Sequence, residues 1–161
     1  MGEHSLTRAL RELLLARRTA ALGTRDEQGG VFVSMVPYAI DDQAHELVLH
    51  VSGLAAHSGN MRREPGVSLL VCAGETEGEP VHALPRVTLE AHARFAEPGS
   101  PDAERAREVY LQRFPEAEMM TTLGDFRFVR LALLGARQVA GFGAARSLPA
   151  EEVRRALTLA P

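Results

Sequence analysis

Polar side chains with chemical capacity crowd one stretch of the sequence, where His50, Ser52, His57 and Asn60 stand within a few residues of one another. They follow a β-like run, residues 46–52, in which Leu47, Leu49 and Val51 share one face and Glu46, Val48, His50 and Ser52 the other. Ser52-Gly53 then opens a short predicted helix over residues 54–64, closed by Pro65-Gly66. A serine at the N-cap offers its hydroxyl, and the first backbone N–H groups of a helix find no partner within it. Such a terminus suits an anion, a phosphate above all. His57 and Asn60 share a helical face near it. The same spacing also suits a plain capped helix with a surface His and Asn. Arg86 opens the polar face of a later strand, and is either a second cation for the anion or a rim residue.

Other chemistries find less support in the residues. The histidines are His4, His45, His50, His57, His82 and His92; none forms the i, i+4 helical pair of a zinc protease, and no carboxylate sits at ligand spacing to one. The sequence has no G-x-S-x-G elbow, and Ser58-Gly59 falls inside a predicted helix. GFGAAR at 141–146 lacks the G-x-G-x-x-G spacing and no βαβ unit surrounds it. There Gly141 and Gly143 flank Phe142 with two residues that lack a Cβ. That suits close approach to a flat ligand or a partner chain, or equally a bulge at a barrel rim. Cys72 is the single cysteine, which excludes an intrachain disulfide and a cysteine zinc cluster; ending an apolar run, it reads as a small buried hydrophobe.

The elements that must position these groups follow from the patterning. Residues 5–18 read as an amphipathic helix with Leu6, Leu10, Leu13 and Leu14 on one side. Strands are predicted over 19–24 and 31–40, joined as a hairpin at Asp26-Glu27-Gln28-Gly29-Gly30, and then over 46–52 and 67–72. Residues 73–85, rich in Gly, Glu and Pro, read as a loop, and 86–95 is the cleanest alternation in the chain. Ser100-Pro101 caps a helix with the stripe Ala103, Ala106, Tyr110 and Phe114. A strand follows over 126–134, a further extended segment over 137–144, and a last helix opening at Pro149. Short strands linked mostly by hairpins, with helices inserted between them, predict an antiparallel β-barrel over a doubly wound sheet. At 161 residues the chain suits a single domain over 1–161. Its net charge of -3 excludes a polycationic nucleic-acid footprint. With neither a signal peptide nor an apolar run of spanning length, a cytoplasmic protein with no nucleic-acid or membrane partner is the expectation.

Taken together, the segments resemble the pyridoxamine 5'-phosphate oxidase-like, FMN-binding split barrels, and in particular their haem-utilisation branch. The resemblance is carried by SMVPY at 34–38, HVSGLAAHSGNM at 50–61, PGVSLLV at 65–71, RVTL at 86–89, DFRF at 125–128 and ARQVAGFG at 136–143. It implies an antiparallel split β-barrel with added helices, a homodimer, and FMN held between the protomers. The isoalloxazine ring would run along Ser34, Met35, Val36 and Pro37. His50, Val51 and Ser52 would meet the ring edge and ribityl chain, His57 the phosphate, and Arg86 the ring edge from the neighbouring strand. Two departures from the pattern matter. The oxidase has two basic residues where this chain has Ala56-His57, and its substrate-gripping R-x-H segment is missing from the ending ALTLAP, which points away from pyridoxamine-phosphate oxidation. The haem-utilising relatives carry an axial histidine near the C-terminus, and no histidine follows His92 here.

The reading that follows is a noncovalent FMN protein acting as an oxidoreductase on a small molecule, with the flavin supplying the redox chemistry. No residue stands out as acid or base. Haem binding on the same fold, and a non-catalytic flavin module, are the alternatives. A protonated His57 would grip phosphate more firmly at pH 6 than at pH 8.

Overall fold

Alternation of apolar and polar residues produces the strands, and the turns between them are fixed by small polar residues. β1 (Thr19–Arg25) and β2 (Val31–Pro37) form the predicted hairpin, paired from Thr19 opposite Pro37 to Arg25 opposite Val31. In its turn the Asp26 carboxylate accepts from the N–H groups of Gln28 and Gly30, while Gly29 takes a φ of 80° that few side-chain-bearing residues adopt. β3 (Ala39–Asp41), β4 (Glu46–Ser52), β5 (Gly66–Cys72) and β6 (Arg86–Phe95) follow, then β7 (Phe126–Val139) and β8 (Ala145–Pro149). The helices are α1 (Gly2–Ala16), α2 (Ala56–Arg63), α3 (Pro101–Arg113) and α4 (Ala150–Ala156). This computed structural model describes residues 2–158, with side chains from Ser5 onward; residue 1 and the last residues of the ALTLAP ending, 159–161, lie outside the described residues.

All eight strands belong to one antiparallel sheet, ordered β2-β1-β5-β6-β7-β4-β3 with β8 paired to β7. The two ends of that path, β2 and β3, are neighbours in the sequence, joined through Tyr38 alone, yet they do not pair. The sheet therefore curls into a barrel left open along one seam, the split barrel that the sequence predicts. Leu22, Leu47, Leu49, Leu69, Leu89 and Leu131 fill its interior, and α1 and α4 add to the same core through Leu10, Leu14 and Val153. A second core lies outside the barrel wall, where Val48 and Phe128 meet Ala106, Tyr110 and Phe114 of the α3 region. β4 is thus buried on both faces. Ser100 caps α3 as expected, its Oγ accepting from the Ala103 N–H at 3.1 Å with Pro101 in the first turn.

Several boundaries differ from the pattern reading, each for a visible reason. The predicted strand 31–40 breaks at Tyr38, because that side chain turns inward and its hydroxyl donates to the Leu14 carbonyl at 2.6 Å while its N–H goes to Arg18. Residues 126–144 are not two extended segments. β7 runs unbroken to Val139, helped by a register shift at Glu90/Ala91 of β6, and Gly141-Phe142-Gly143 then forms the turn into β8. The Gly- and Pro-rich stretch 73–85 is loop except for one 3-10 turn at Val81–Ala83. Among the described residues no helix is long and apolar enough to cross a membrane.

Candidate functional site

β2 is an edge strand: among the described residues only β1 pairs with its backbone, so the other side of that backbone faces the open seam. Across that seam lies the end of β4, whose partner β3 reaches only as far as Val48. The backbone edges of residues 34–37 and 49–52 thus border the split, where unpaired N–H and C=O groups seek partners. At one end of this seam the Ser34 hydroxyl and His57 Nδ1 are hydrogen-bonded at 2.9 Å, joining β2 to the first turn of α2. Ser34 and His57, assigned to one ligand by the family pattern, are thereby brought together. Burial pushes the His57 imidazole below its ordinary pKa of 6.5, so the ring is neutral at pH 7. A neutral imidazole gives one hydrogen bond to a phosphate and no charge.

The neighbouring polar residues take other roles than the spacing predicts. Ser52 does not cap the helix. α2 starts at Ala56 with Ala55 as its N-cap and no side-chain cap bond, whereas Ser52 Oγ accepts from the Leu54 N–H at 3.2 Å in the preceding turn. The Gly53 N–H is taken by the Asp125 carbonyl, and a Cβ on Gly53 would lie 2.9 Å from that oxygen, so this close approach uses glycine to tie the turn to β7. Asn60 also leaves the expected face: it is 4% exposed, its Nδ2 donates to Thr24 Oγ1 at 3.0 Å, and its Oδ1 accepts from Arg63. It locks α2 onto β1 instead of facing an anion. The helix start consequently offers bare N–H groups and a neutral His57, not a serine-and-cation cradle.

Of the remaining expected positions, Val36 and Val51 point into the barrel core, leaving only backbone for a ligand, and Pro37 lines a groove beside Tyr110 and Phe114. Arg86 turns back onto its own loop, donating to the carbonyls of His82 and Leu84 at 3.3 and 2.9 Å, which matches the rim reading. Gly141 and Gly143 have φ of 140° and 72°, and among the described residues none beyond their immediate neighbours comes within 4 Å of a Cβ built on either; the turn needs glycine for its backbone conformation, not for close packing. Phe142 at its tip is 75% exposed. His50 lies on the opposite face of β4 from the barrel core, within 4.5 Å of Phe128 and 5.0 Å of Phe126 between ring centroids.

Sequence reasoning missed the outer surface of β2. Val31, Val33 and Met35 are 81%, 62% and 67% exposed, an apolar row on the face of the strand opposite buried Val36. Beside them Leu70 and Cys72 of β5, together with Leu84, line a groove of about 560 Å³ that Arg17 borders. The signal was present as Val31, Val33 and Met35 at period two, but the alternation alone does not say which face of a hairpin is covered. Among the described residues no cluster of three or more His, Cys, Asp or Glu could hold a metal ion.

An open antiparallel barrel, split beside an edge strand whose serine meets a helix-borne histidine, defines the class of protein as a split barrel. The chain belongs to the pyridoxamine 5'-phosphate oxidase family, which it matches over residues 6–140. Among characterised relatives, it is 32% identical to the haem oxygenase HutZ of Vibrio cholerae over 148 residues, covering 89% of this chain and 81% of HutZ. A solved structure of Vibrio cholerae HutZ, described there as a haem storage protein, superposes with a TM-score of 0.69 at 29% identity, covering 76% of this chain and 85% of that one. A haem-binding protein from Mycobacterium smegmatis superposes at 0.83 with 26% identity over 93% of this chain, which spans 60% of that protein's length. These likenesses place the chain with the haem-utilisation branch.

Proposed function

We propose that this protein binds haem, as a homodimer, in a haem-utilisation role. The observation that carries the reading is the exposed apolar bed of Val33, Met35 and Leu70 with Arg17 at its margin. A flat apolar macrocycle with carboxylate arms matches an apolar bed beside a guanidinium. The similarity to HutZ and to the Mycobacterium smegmatis protein supports the same ligand. So does the neutral His57, which makes a poor phosphate grip. Arg17 would hold a carboxylate, and the iron donors that the groove offers are the Met35 thioether, the Cys72 thiol and the Glu75 carboxylate, since no histidine lines it among the described residues. A second protomer placed on the Val31-Val33-Met35 row would cover apolar area that a monomer leaves wet, and would shut water from the bed. Haem added to the purified protein should produce a saturable Soret band at one haem per chain. No band at micromolar haem would overturn the reading.

The second reading is an FMN oxidoreductase acting on a small molecule. It is favoured by the Ser34–His57 pair at the start of α2 and by the free backbone edge of β2. Here the flavin would supply the redox chemistry and the chain would orient it. A flavin spectrum that survives desalting, followed by reduction with NADH or NADPH in stopped flow, is its test; an unreduced flavin would leave a passive binding module.

A further inference from the structure

The cavity beneath α3 belongs to neither reading. It has a volume of about 310 Å³ and lies on the far face of β4 from the barrel interior. Its floor is aromatic, made by His50, Phe126 and Phe128, and Ala103 of α3 forms part of its wall. His50 is 8% exposed, and its Nδ1 is buried without any hydrogen-bond partner. Burial of this kind holds the imidazole neutral. That enclosed nitrogen lies out of a ligand's reach, so what the cavity offers a ligand is the ring of His50 beside those of Phe126 and Phe128.

Charge at the rim selects the kind of ligand. Arg107 and Arg127 both border the cavity, with Glu104 as the acidic residue there. Arg107 spends only its Nε, donating to Thr121 Oγ1 at 3.2 Å, and Arg127 donates Nη1 to the Gly124 and Phe126 carbonyls. Neither guanidinium has a carboxylate partner among the described residues, whereas Arg94, Arg105 and Arg130 of this region do. We infer that this cavity is a second binding site, which takes a small aromatic carboxylate: its ring among His50, Phe126 and Phe128, its carboxylate at Arg107. The aromatic floor excludes a bulky or strongly hydrated anion, and the volume excludes a macrocycle.

Benzoate and nicotinate are the probes, titrated into the full chain and followed by calorimetry and by the shifts of aromatic NMR resonances, with acetate as the ringless control. Saturable binding of an aromatic acid, at least tenfold tighter than acetate, is expected. Arg107→Gln, at a half-exposed rim position, should weaken it about tenfold, the loss of one charge-assisted bond. His50→Phe keeps an aromatic floor and should leave the binding intact. No aromatic shift at millimolar benzoate, acetate binding as well as benzoate, or affinity unchanged in Arg107→Gln would each overturn the site. A haem titration on the same His50→Phe protein separates the two ideas. A normal Soret band there leaves the cavity a distinct site, loss of the band would overturn its separateness, and aromatic-acid binding without any haem binding would sink the haem reading alone.

Discussion

Two histidines on neighbouring elements show how environment, not residue type, sets chemical capacity. His57 is half-buried, paired to the Ser34 hydroxyl at 2.9 Å, and held below its ordinary pKa by burial. Because the ring is neutral at both pH 7 and pH 8, His57→Ala should weaken ligand binding equally at the two values. The loss of one neutral hydrogen bond amounts to about 0.5–1.5 kcal/mol. Any extra effect from a charged ring belongs on the acid side of 6.5, further down than the sequence alone suggests. FMN titrations at pH 6, 7 and 8 measure this, and a larger loss at pH 7 than at pH 8 would contradict it. His50 is buried more deeply, and its pKa falls to about 4. The unfolded chain then takes up a proton near pH 6.5 while the folded chain does not, so stability should fall as pH drops from about 6.5 and finish falling near 4. A shift of this size corresponds to roughly 3 kcal/mol. Urea unfolding at several pH values should show that slope, and His50→Phe should flatten it.

At the level of elements, α3 is fastened to the sheet by charges that have left water. Arg130 of β7 is 3% exposed and donates Nη1 to Asp41 Oδ2 at 2.9 Å, while Asp41 itself is 1% exposed. The same guanidinium reaches the Asp102 carboxylate in the first turn of α3 through Nε, in an ion pair without hydrogen-bond geometry, and the Asp102 carbonyl through Nη2 at 3.3 Å. Burial alone would raise the Asp41 carboxyl, but the Arg130 and Arg105 guanidinia and the N–H groups of Ala44 and Gln43 outweigh it and hold it below 3.8. Its contribution is therefore present at neutral pH and lost only under stronger acid than the His50 effect requires. Arg130→Met leaves Asp41 charged, buried and short of its main partner, and should cost about 3–5 kcal/mol. Denaturant melts measure that cost. A loss under 1 kcal/mol would mean that water replaces the guanidinium.

For the molecule as a whole, the decisive feature is one sheet face that is apolar and uncovered. Val31, Val33, Met35 and Leu70 share it, on β2 and β5, and none of the described residues covers them. A patch of this kind supports the proposed dimer interface. Sedimentation should give a dimer for the natural chain and a folded monomer for Met35→Glu, since a carboxylate on that row desolvates badly against a second copy. Haem affinity should fall with the dimer if the two protomers share the ligand. A monomeric natural chain with a full Soret band would separate the two claims.

Residues with strong local signals determined much of this protein in advance. The period-two alternation of 86–95 gave β6 to the residue, Ser100-Pro101 placed the start of α3, and Asp26 to Gly30 placed the β1–β2 turn, because each depends on chain-local conformational preferences. Ser34 and His57 were named through the family pattern, and the fold then joined them across 23 positions of sequence. What tertiary structure alone decided was direction. Ser52 lost its capping role because the Gly53 N–H is claimed by the Asp125 carbonyl, just ahead of β7, a contact between segments far apart in sequence. Asn60 turned to Thr24 because a buried amide takes whatever partners the neighbouring strand offers. His50 became a buried floor residue because α3, distant in sequence, packs over the second face of β4. Spacing along a chain fixes which residues share a face, and only packing decides what that face meets.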